Sequence, residues 1–195
     1  MSDSTPSHFP VPEMASLPDD VRERIEEVQA KAGFIPNVFA VLAARPDEFR
    51  AFFAYHDALM EKAGGLSKAE REMIVVATSA ANDCEYCVIA HGALVRIYSK
   101  RPKLADQLAT NYRTSDLSER ERVLLDFAVQ VAVDPGSVEQ DDIEALREFG
   151  FDDDEIWDIG AISAFFGMSN RLAAVTGMRA NDEFYLLGRL PREKK

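Results

Sequence analysis

The chain has 195 residues, of which 47% are hydrophobic and twelve are phenylalanine. This length and composition are sufficient for the core of one folded domain. The net charge is −12, and no cluster of basic residues interrupts the acidic stretches. Binding to nucleic acid or to an anionic membrane surface requires such a cluster, so we expect neither partner.

The first twenty residues, MSDSTPSHFPVPEMASLPDD, have neither the basic nor the apolar part of a secretion signal, and no eighteen apolar residues run consecutively. We therefore expect a cytoplasmic protein without a membrane span. Four prolines within residues 1–18 disfavour helix there. The sequence thus predicts an extended N-terminal arm, 1–18, followed by a single domain, 19–195.

Helical patterns follow the arm in nearly unbroken succession. The predicted helices cover about 19–31, 46–62, 67–81, 84–99, 118–133, a segment beginning at Ser137 with Gln140, and 153–175. Asp19 or Asp20 is expected to cap the first helix and Asp83 the helix that opens at Cys84. Alternation typical of strands is absent over any useful length, so the predicted fold class is all-α.

One motif occurs twice. Leu66-Ser67-x-x-Glu70-Arg71 recurs about fifty residues later as Leu117-Ser118-x-x-Glu121-Arg122. In each copy the serine and glutamate form a capping box, a pattern that marks the beginning of a helix. The recurrence is a candidate sign of a duplicated helical hairpin.

Both cysteines lie in one motif, Cys84-Glu85-Tyr86-Cys87, with His91 four residues further on. On a helix, residues three and four apart share a face, so the two thiols and the imidazole point the same way. If the chain reverses near Asn82, Glu72 on the preceding helix lies opposite His91. In a reducing compartment such a cysteine pair favours redox chemistry or a metal site over a structural disulfide.

The redox interpretation assigns each group a task. A thiolate that attacks a peroxide becomes a sulfenic acid, which a second thiol condenses into a disulfide. Glu72 would fix the tautomer of His91 and balance its charge. The helix dipole favours Cys84 as the more acidic thiol, whereas the imidazole at i+4 favours Cys87.

Two alternatives remain open from the residues alone. The cysteine pair could exchange disulfides with a partner protein instead of reducing a peroxide. Alternatively, Cys84, Cys87, His91 and Glu72 could bind zinc and stabilise a non-enzymatic interaction module. No glycine-rich nucleotide motif is present, so no organic cofactor is expected.

Several other side chains have simpler interpretations. His56 lies beside Phe52 and Phe53 and is expected to pack on its helix, although it could line a substrate pocket. Trp157 and the Phe165-Phe166 pair are expected in the core or at a subunit interface. His8 lies in the arm and suggests no function.

Two segments together resemble the alkylhydroperoxidase AhpD core of the carboxymuconolactone decarboxylase-like superfamily. They are Leu66-Ser67-x-x-Glu70-Arg71-Glu72 and Cys84-Glu85-Tyr86-Cys87-Val88-x-x-His91, within a core motif at 66–99. Gly33-x-x-Pro36-Asn37 and Asn170-Arg171 are similar to the longer, peroxidase-related branch. The resemblance covers most of the chain beyond the arm.

The resemblance implies an AhpD-like helical bundle, a homotrimer or homohexamer, and antioxidant reduction of organic hydroperoxides with an external thiol reductant. It implies Cys87 as the peroxidatic thiol, Cys84 as the resolving thiol, and Glu72 with His91 as a proton relay. Neither a metal nor a cofactor is implied. Some relatives carry a further histidine just before the second cysteine, where this chain has Tyr86.

Overall fold

Helices make up the regular structure of this protein. The computed structural model describes residues 5–189, and this part of the chain contains α-helices and short 3-10 turns but no β-strand. The α-helices are α1 Asp19–Ala32, α2 Asn37–Leu42, α3 Pro46–Met60, α4 Lys68–Ala81, α5 Glu85–Ser99, α6 Leu104–Asn111, α7 Glu119–Val133, α8 Gln140–Glu148, α9 Asp153–Thr176 and α10 Asp182–Leu186. The predicted all-α fold is confirmed. Among the described residues, no helix is long and apolar enough to cross a membrane.

Capping boxes closed by a glutamate begin three of these helices. The side chains of Ser67, Ser118 and Asp152 accept the backbone N–H three residues further on, and the glutamate there bonds back to the cap. Each box satisfies backbone donors that have no partner inside the helix. The two serine boxes and the helices behind them are confirmed.

Three predicted helix caps were wrong. Asp19 and Asp20 lie in the first turn of α1, where the dipole favours acids, and Pro18 is its N-cap. Glu139 caps α8, because Ser137 belongs to a separate 3-10 turn. Cys84 itself is the N-cap of α5, since Asp83 adopts a left-handed backbone with φ of 54°. The helices α2, α6 and α10 were not predicted.

Helix α4 is the centre of the fold. It packs against α5, α6, α7 and α9, and its residues from Arg71 to Ser79 are all buried. The small and β-branched side chains there, including Ile74, Val75 and Val76, allow neighbouring helices to approach on several sides. A polar side chain on a helix surrounded in this way must have a hydrogen-bonding partner, because water cannot reach it.

The N-terminal segment is docked along the end of α9. Residues 1–4 of the predicted arm lie outside the described residues, and the rest has no α-helix and one 3-10 turn, Met14–Ser16. The Ser7 hydroxyl and the His8 N–H both donate to the Thr176 carbonyl, at 2.9 and 2.7 Å. The His8 ring occupies the space that a Cβ at Gly177 would need, which requires glycine there.

The repeated motif is also repeated in its contacts. The Arg71 guanidinium donates to the carbonyls of Lys62 and Gly64, nine and seven residues earlier. Arg122 donates to Arg113 and Ser115, again nine and seven residues earlier. In both copies the arginine fastens the loop that precedes its own helix, which is the local similarity that a duplicated hairpin would leave.

The two arginines differ in burial, which gives a matched test of what this contact contributes. Arg71 is 1% exposed, whereas Arg122 is partly exposed. Replacing Arg71 with Met should lower the free energy of unfolding by about 2–4 kcal/mol, because buried carbonyls lose charged donors. Arg122→Met should cost less than about 1 kcal/mol, since water can replace the lost donor. Urea unfolding midpoints measure both, and equal losses would contradict this account.

Candidate active site

A tight turn between α4 and α5 brings the cysteine motif to the end of the central helix. Asn82 donates through its side chain to the Thr78 carbonyl, and the Cys84 N–H donates to the Ser79 carbonyl at 2.9 Å. Asp83 tolerates its left-handed backbone because a short polar side chain can bond locally. Cys84 therefore sits at the positive end of the α5 dipole, with Cys87 in the first turn.

Glu72 and His91 meet across the α4–α5 contact. The His91 Nδ1 lies 2.6 Å from a Glu72 carboxylate oxygen, and the two side chains are only 14% and 7% exposed. An ionised carboxylate can only accept, so Nδ1 carries the hydrogen and Nε2 of the neutral ring has a free lone pair. The Phe166 ring packs edge-on against the imidazole at 4.8 Å and holds it in place.

The two thiols are free and buried, and their environments drive their pKa values apart. The Cys87 thiol beside Cys84 lowers the pKa of Cys84 to about 7, against the effect of burial. The Cys87 backbone amide and Asn170 lower that pKa further, as does the charge of His91 when its ring is protonated. The Cys87 thiol is hydrogen-bonded to Cys84 and is buried, and both effects raise the pKa of Cys87 well above its usual value. Cys84 is therefore the more readily ionised thiol, and Cys87 is the proton donor between them.

Two residues of α9 complete the surroundings of the thiols, and sequence reasoning assigned neither a role here. Asn170 is buried, donates to the Ser79 hydroxyl at 2.9 Å, and lowers the pKa of both cysteines. The Ser169 hydroxyl lies 4.0 Å from the Cys87 sulfur. In the sequence, only the Asn170-Arg171 similarity pointed to this part of α9. No local pattern could place it beside the thiols, because it lies more than eighty residues after the cysteine motif.

Tyr86 lies between the two cysteines in the sequence, but its side chain connects two helices. Its hydroxyl accepts the Val38 N–H at 3.1 Å, and burial raises its pKa far above the usual value. The phenol therefore stays protonated and ties α5 to α2. Where some relatives have a second histidine, this chain has a structural anchor.

An apolar cavity of about 200 Å³ reaches Cys87 and His91. Aromatic rings dominate its lining: Phe39, Phe52, Phe53, Tyr86, Phe166 and Phe184. Ser169 also lines it, so the thiol, the imidazole and a hydroxyl are the polar groups at its Cys87 end. Such a site favours a small, largely apolar molecule that carries one reactive polar group.

His56 packs edge-on against Phe53, as expected, and it also lines this cavity beside the ion pair of Arg24 and Asp57. Its Nδ1 lies 3.0 Å from Asp57, whose carboxylate accepts from Arg24 at 2.6 Å. Phe165 and Phe166 are buried as expected. Trp157 is 74% exposed, so it is not a core residue.

The four predicted site residues do not form a metal centre in this arrangement. Across residues 5–189, no group of three or more His, Cys, Asp or Glu side chains is placed to hold a metal ion. The Nδ1 of His91 and one Glu72 oxygen are directed at each other rather than at a common point. This geometry weighs against the zinc alternative.

Comparison with known proteins places these features in a family context. Residues 46–110 match the model of the Carboxymuconolactone decarboxylase family. A peroxidase-related protein from Ralstonia eutropha JMP134, described as an alkylhydroperoxidase AhpD core, is 64% identical over 96% of this chain and 99% of its own, with a TM-score of 0.94. A peroxidase-related protein from Silicibacter sp. TM1040 is 41% identical over 97% and 100% of the two chains, with a TM-score of 0.91.

A more distant structure shares the fold alone. The debrominase Bmp8 in complex with 2,3,4-tribromopyrrole is 19% identical over 91% of this chain and 95% of its own, with a TM-score of 0.76. A search of curated proteins finds no match.

The unequal thiols predict a specific pH dependence of alkylation. Thiolate is the reactive form and accumulates as the pH passes the pKa, so the iodoacetamide reaction of Cys84 should rise with pH and reach half its maximum at about 7. Cys87→Ala removes the main cause of the shift and should move this midpoint upward. Ser169→Ala is the control, because Ser169 contacts Cys87 and should leave the Cys84 midpoint in place. A midpoint near the ordinary thiol value of about 8.5 in the unaltered protein would contradict the assignment.

Proposed function

The chain belongs to the AhpD-like, peroxidase-related branch of the carboxymuconolactone decarboxylase superfamily, and from that membership we propose that it is a thiol-dependent peroxidase. It reduces organic hydroperoxides through the redox pair Cys84 and Cys87, with Glu72 and His91 as the proton relay. The observation that carries the proposal is the apolar cavity that ends at Cys87 and His91. A hydroperoxide with a small apolar body fits there with its O–O bond at the sulfur.

In the first step, Cys87 attacks the terminal oxygen of the hydroperoxide. The thiol must first lose its proton, and the groups available to take it are the Cys84 thiolate beside it and His91 one helical turn away. A sulfur of high pKa is the stronger nucleophile once it is deprotonated. The O–O bond breaks, Cys87 becomes a sulfenic acid, and the departing alkoxide takes a proton and leaves as an alcohol.

In the second step, Cys84 attacks the sulfur of the sulfenic acid. The S–S bond forms and the oxygen leaves as water, so one hydroperoxide and two thiols give one alcohol, one water and one disulfide. His91 supplies the proton to the departing oxygen. Glu72 is a positioning residue, because its contact with Nδ1 leaves Nε2 to exchange protons and stabilises the imidazolium.

Direct disulfide exchange with a partner protein fits the structure less well. Cys84 and Cys87 are only 6% and 1% exposed, so neither sulfur lies where the surface of another protein can touch it without rearrangement. Exchange by a protein partner usually needs an accessible sulfur. A small substrate reaches Cys87 through the cavity instead.

A second substrate class is favoured by the aromatic lining of the cavity. A compact halogenated ring would pack among the six rings beside Cys87, and the two thiols could supply the two electrons that replace carbon–halogen by carbon–hydrogen with release of halide. Bmp8, which shares the fold, is named a debrominase. Bromide release from 2,3,4-tribromopyrrole by the reduced protein, compared with its turnover of a hydroperoxide, distinguishes the two candidates.

The homotrimer or homohexamer implied by the resemblance is also proposed. Trp157 is 74% exposed and Tyr55 is 50% exposed, and both line one groove of about 460 Å³. An exposed apolar patch of this kind is typical of a surface that another subunit covers. Sedimentation velocity would give the mass of the assembly.

Turnover of cumene hydroperoxide with excess dithiothreitol tests the peroxidase proposal. Cys87→Ser should abolish reaction with the peroxide, because the attacking sulfur is gone. After dithiothreitol is removed, Cys84→Ser should still consume one peroxide per chain and then stop, since Cys87 sulfenic acid then has no thiol to resolve it. Trapping with dimedone detects that acid. Retained turnover in Cys87→Ser would contradict the assigned order.

The relay is tested by a double-variant comparison of the peroxide reaction. His91→Ala should slow oxidation of the thiols by about 10²-fold or more, the usual contribution of a general acid–base. Glu72→Gln should slow it less, and the double variant should be no slower than His91→Ala alone, because Glu72 acts through the imidazole. Losses that simply multiply would show that Glu72 acts independently of His91.

A further inference from the structure

A second cavity, distinct from the apolar one, reaches the other thiol. It has a volume of about 270 Å³ and is lined by Cys84 together with polar and charged residues, including His8, Asp83, Glu85 and Arg179. Tyr86 is the one lining residue that it shares with the apolar cavity. Each sulfur of the pair therefore faces its own cavity, Cys87 the apolar one and Cys84 the polar one.

We propose that a small thiol reductant enters the polar cavity and attacks Cys84, while the hydroperoxide is confined to the apolar cavity at Cys87. This assignment rests on the proposed function, since it concerns the step that regenerates the two thiols. The polar cavity is several times larger than the ~30 Å³ share of one water molecule. It can hold a compact thiol but not a folded partner.

The charge of the reacting molecule determines which of the two cavities suits it. A hydroperoxide is neutral and loses little by entering apolar surroundings. A reductant attacks as its thiolate, and moving an anion into the ring-lined cavity would cost several kcal/mol of lost hydration. The polar cavity keeps such an anion hydrated, and the cation Arg179 lies on its wall together with the carboxylates Asp83 and Glu85.

The reduction balances without any further reactant. The reductant thiol releases a proton, which the neutral His91 ring receives through solvent. Its thiolate attacks the Cys84 sulfur, the Cys84–Cys87 bond breaks, and the electron pair leaves with the Cys87 thiolate, which takes that proton from His91. A second thiol then attacks the mixed disulfide on Cys84, which leaves as the thiolate. Two thiols become one external disulfide, and the protein regains both cysteines. Cys84 has the lower pKa and is therefore the better leaving group, which by itself favours attack at Cys87. Attack at Cys84 requires that access through the polar cavity outweigh this preference.

Two cavity-filling variants form a matched pair. Ala174 is exposed on α9 and lines the polar cavity, whereas Val38 lines the apolar one. Ala174→Trp should slow reduction of the disulfide by dithiothreitol about tenfold or more while slowing oxidation by cumene hydroperoxide much less. Val38→Trp should do the opposite. Each variant's less affected half-reaction shows that it is folded.

The reductive half-reaction can be measured independently of peroxide activity. The disulfide is first formed with diamide, and the return of free thiols is then followed after addition of dithiothreitol. If Ala174→Trp leaves that rate unchanged, or if Val38→Trp is the variant that slows it, the proposal is wrong. It is also wrong if diamide forms no disulfide between the two cysteines. A protein that is oxidised by diamide but never by hydroperoxide refutes the peroxidase function, and the reduction rates still decide the route of the reductant.

A single-thiol comparison provides a second measurement. In Cys87→Ser only Cys84 remains, and its reaction with dithiodipyridine should fall when Ala174→Trp is added. In Cys84→Ser only Cys87 remains, and the same addition should have much less effect. Equal slowing of both thiols would overturn the separation of the two cavities.

Discussion

The contact between Glu72 and His91 joins the central helix α4 to the helix that carries both thiols. It is a partly buried hydrogen bond of 2.6 Å between two ionisable groups, and such groups are stable inside a protein only when they are paired. Its position follows from the turn at Asn82–Cys84, which fixes how far α5 is displaced along α4. The same turn puts Cys84 at the N-terminus of α5 and Cys87 one turn inside, so one structural constraint sets the places of all four groups.

Within that frame the two sulfurs are chemically unequal for physical reasons. The neighbouring Cys87 thiol, Asn170 and the helix N-terminus stabilise the negative charge of Cys84, whereas the adjacent Cys84 sulfur and deeper burial disfavour a charge on Cys87. This reconciles the two indications in the sequence. Cys84 is the more acidic thiol, in the direction that the dipole argument predicted, although the neighbouring Cys87 thiol is the main cause of its lowered pKa. The cavity makes Cys87 the thiol that a small apolar substrate can reach. The more acidic sulfur and the sulfur that the apolar substrate can reach are thus different residues, as separate oxidising and reducing steps require.

Local and near-local features could be predicted from the sequence, and distant ones could not. The boxes at Ser67 and Ser118 depend on residues three apart, and the meeting of Glu72 with His91 depends on one short turn. The helix start at Cys84 was misplaced by one residue because the left-handed backbone of Asp83 has no sequence signal beyond its tolerance for that conformation. Asn170 reaches the thiols only through the packing of α9, and Trp157 is exposed because an apolar side chain need not be buried. Neither outcome is encoded in a local pattern.

The central claim is that Cys84 and Cys87 act together as one two-electron reductant of a hydroperoxide. The most direct test is a titration of free thiols in the reduced, metal-free protein against cumene hydroperoxide, with the product bond identified by mass spectrometry. The account predicts that two thiols disappear per peroxide, much faster than for free cysteine, and that a Cys84–Cys87 disulfide appears. Thiols that remain unoxidised by the peroxide while reacting normally with a small thiol reagent would contradict it.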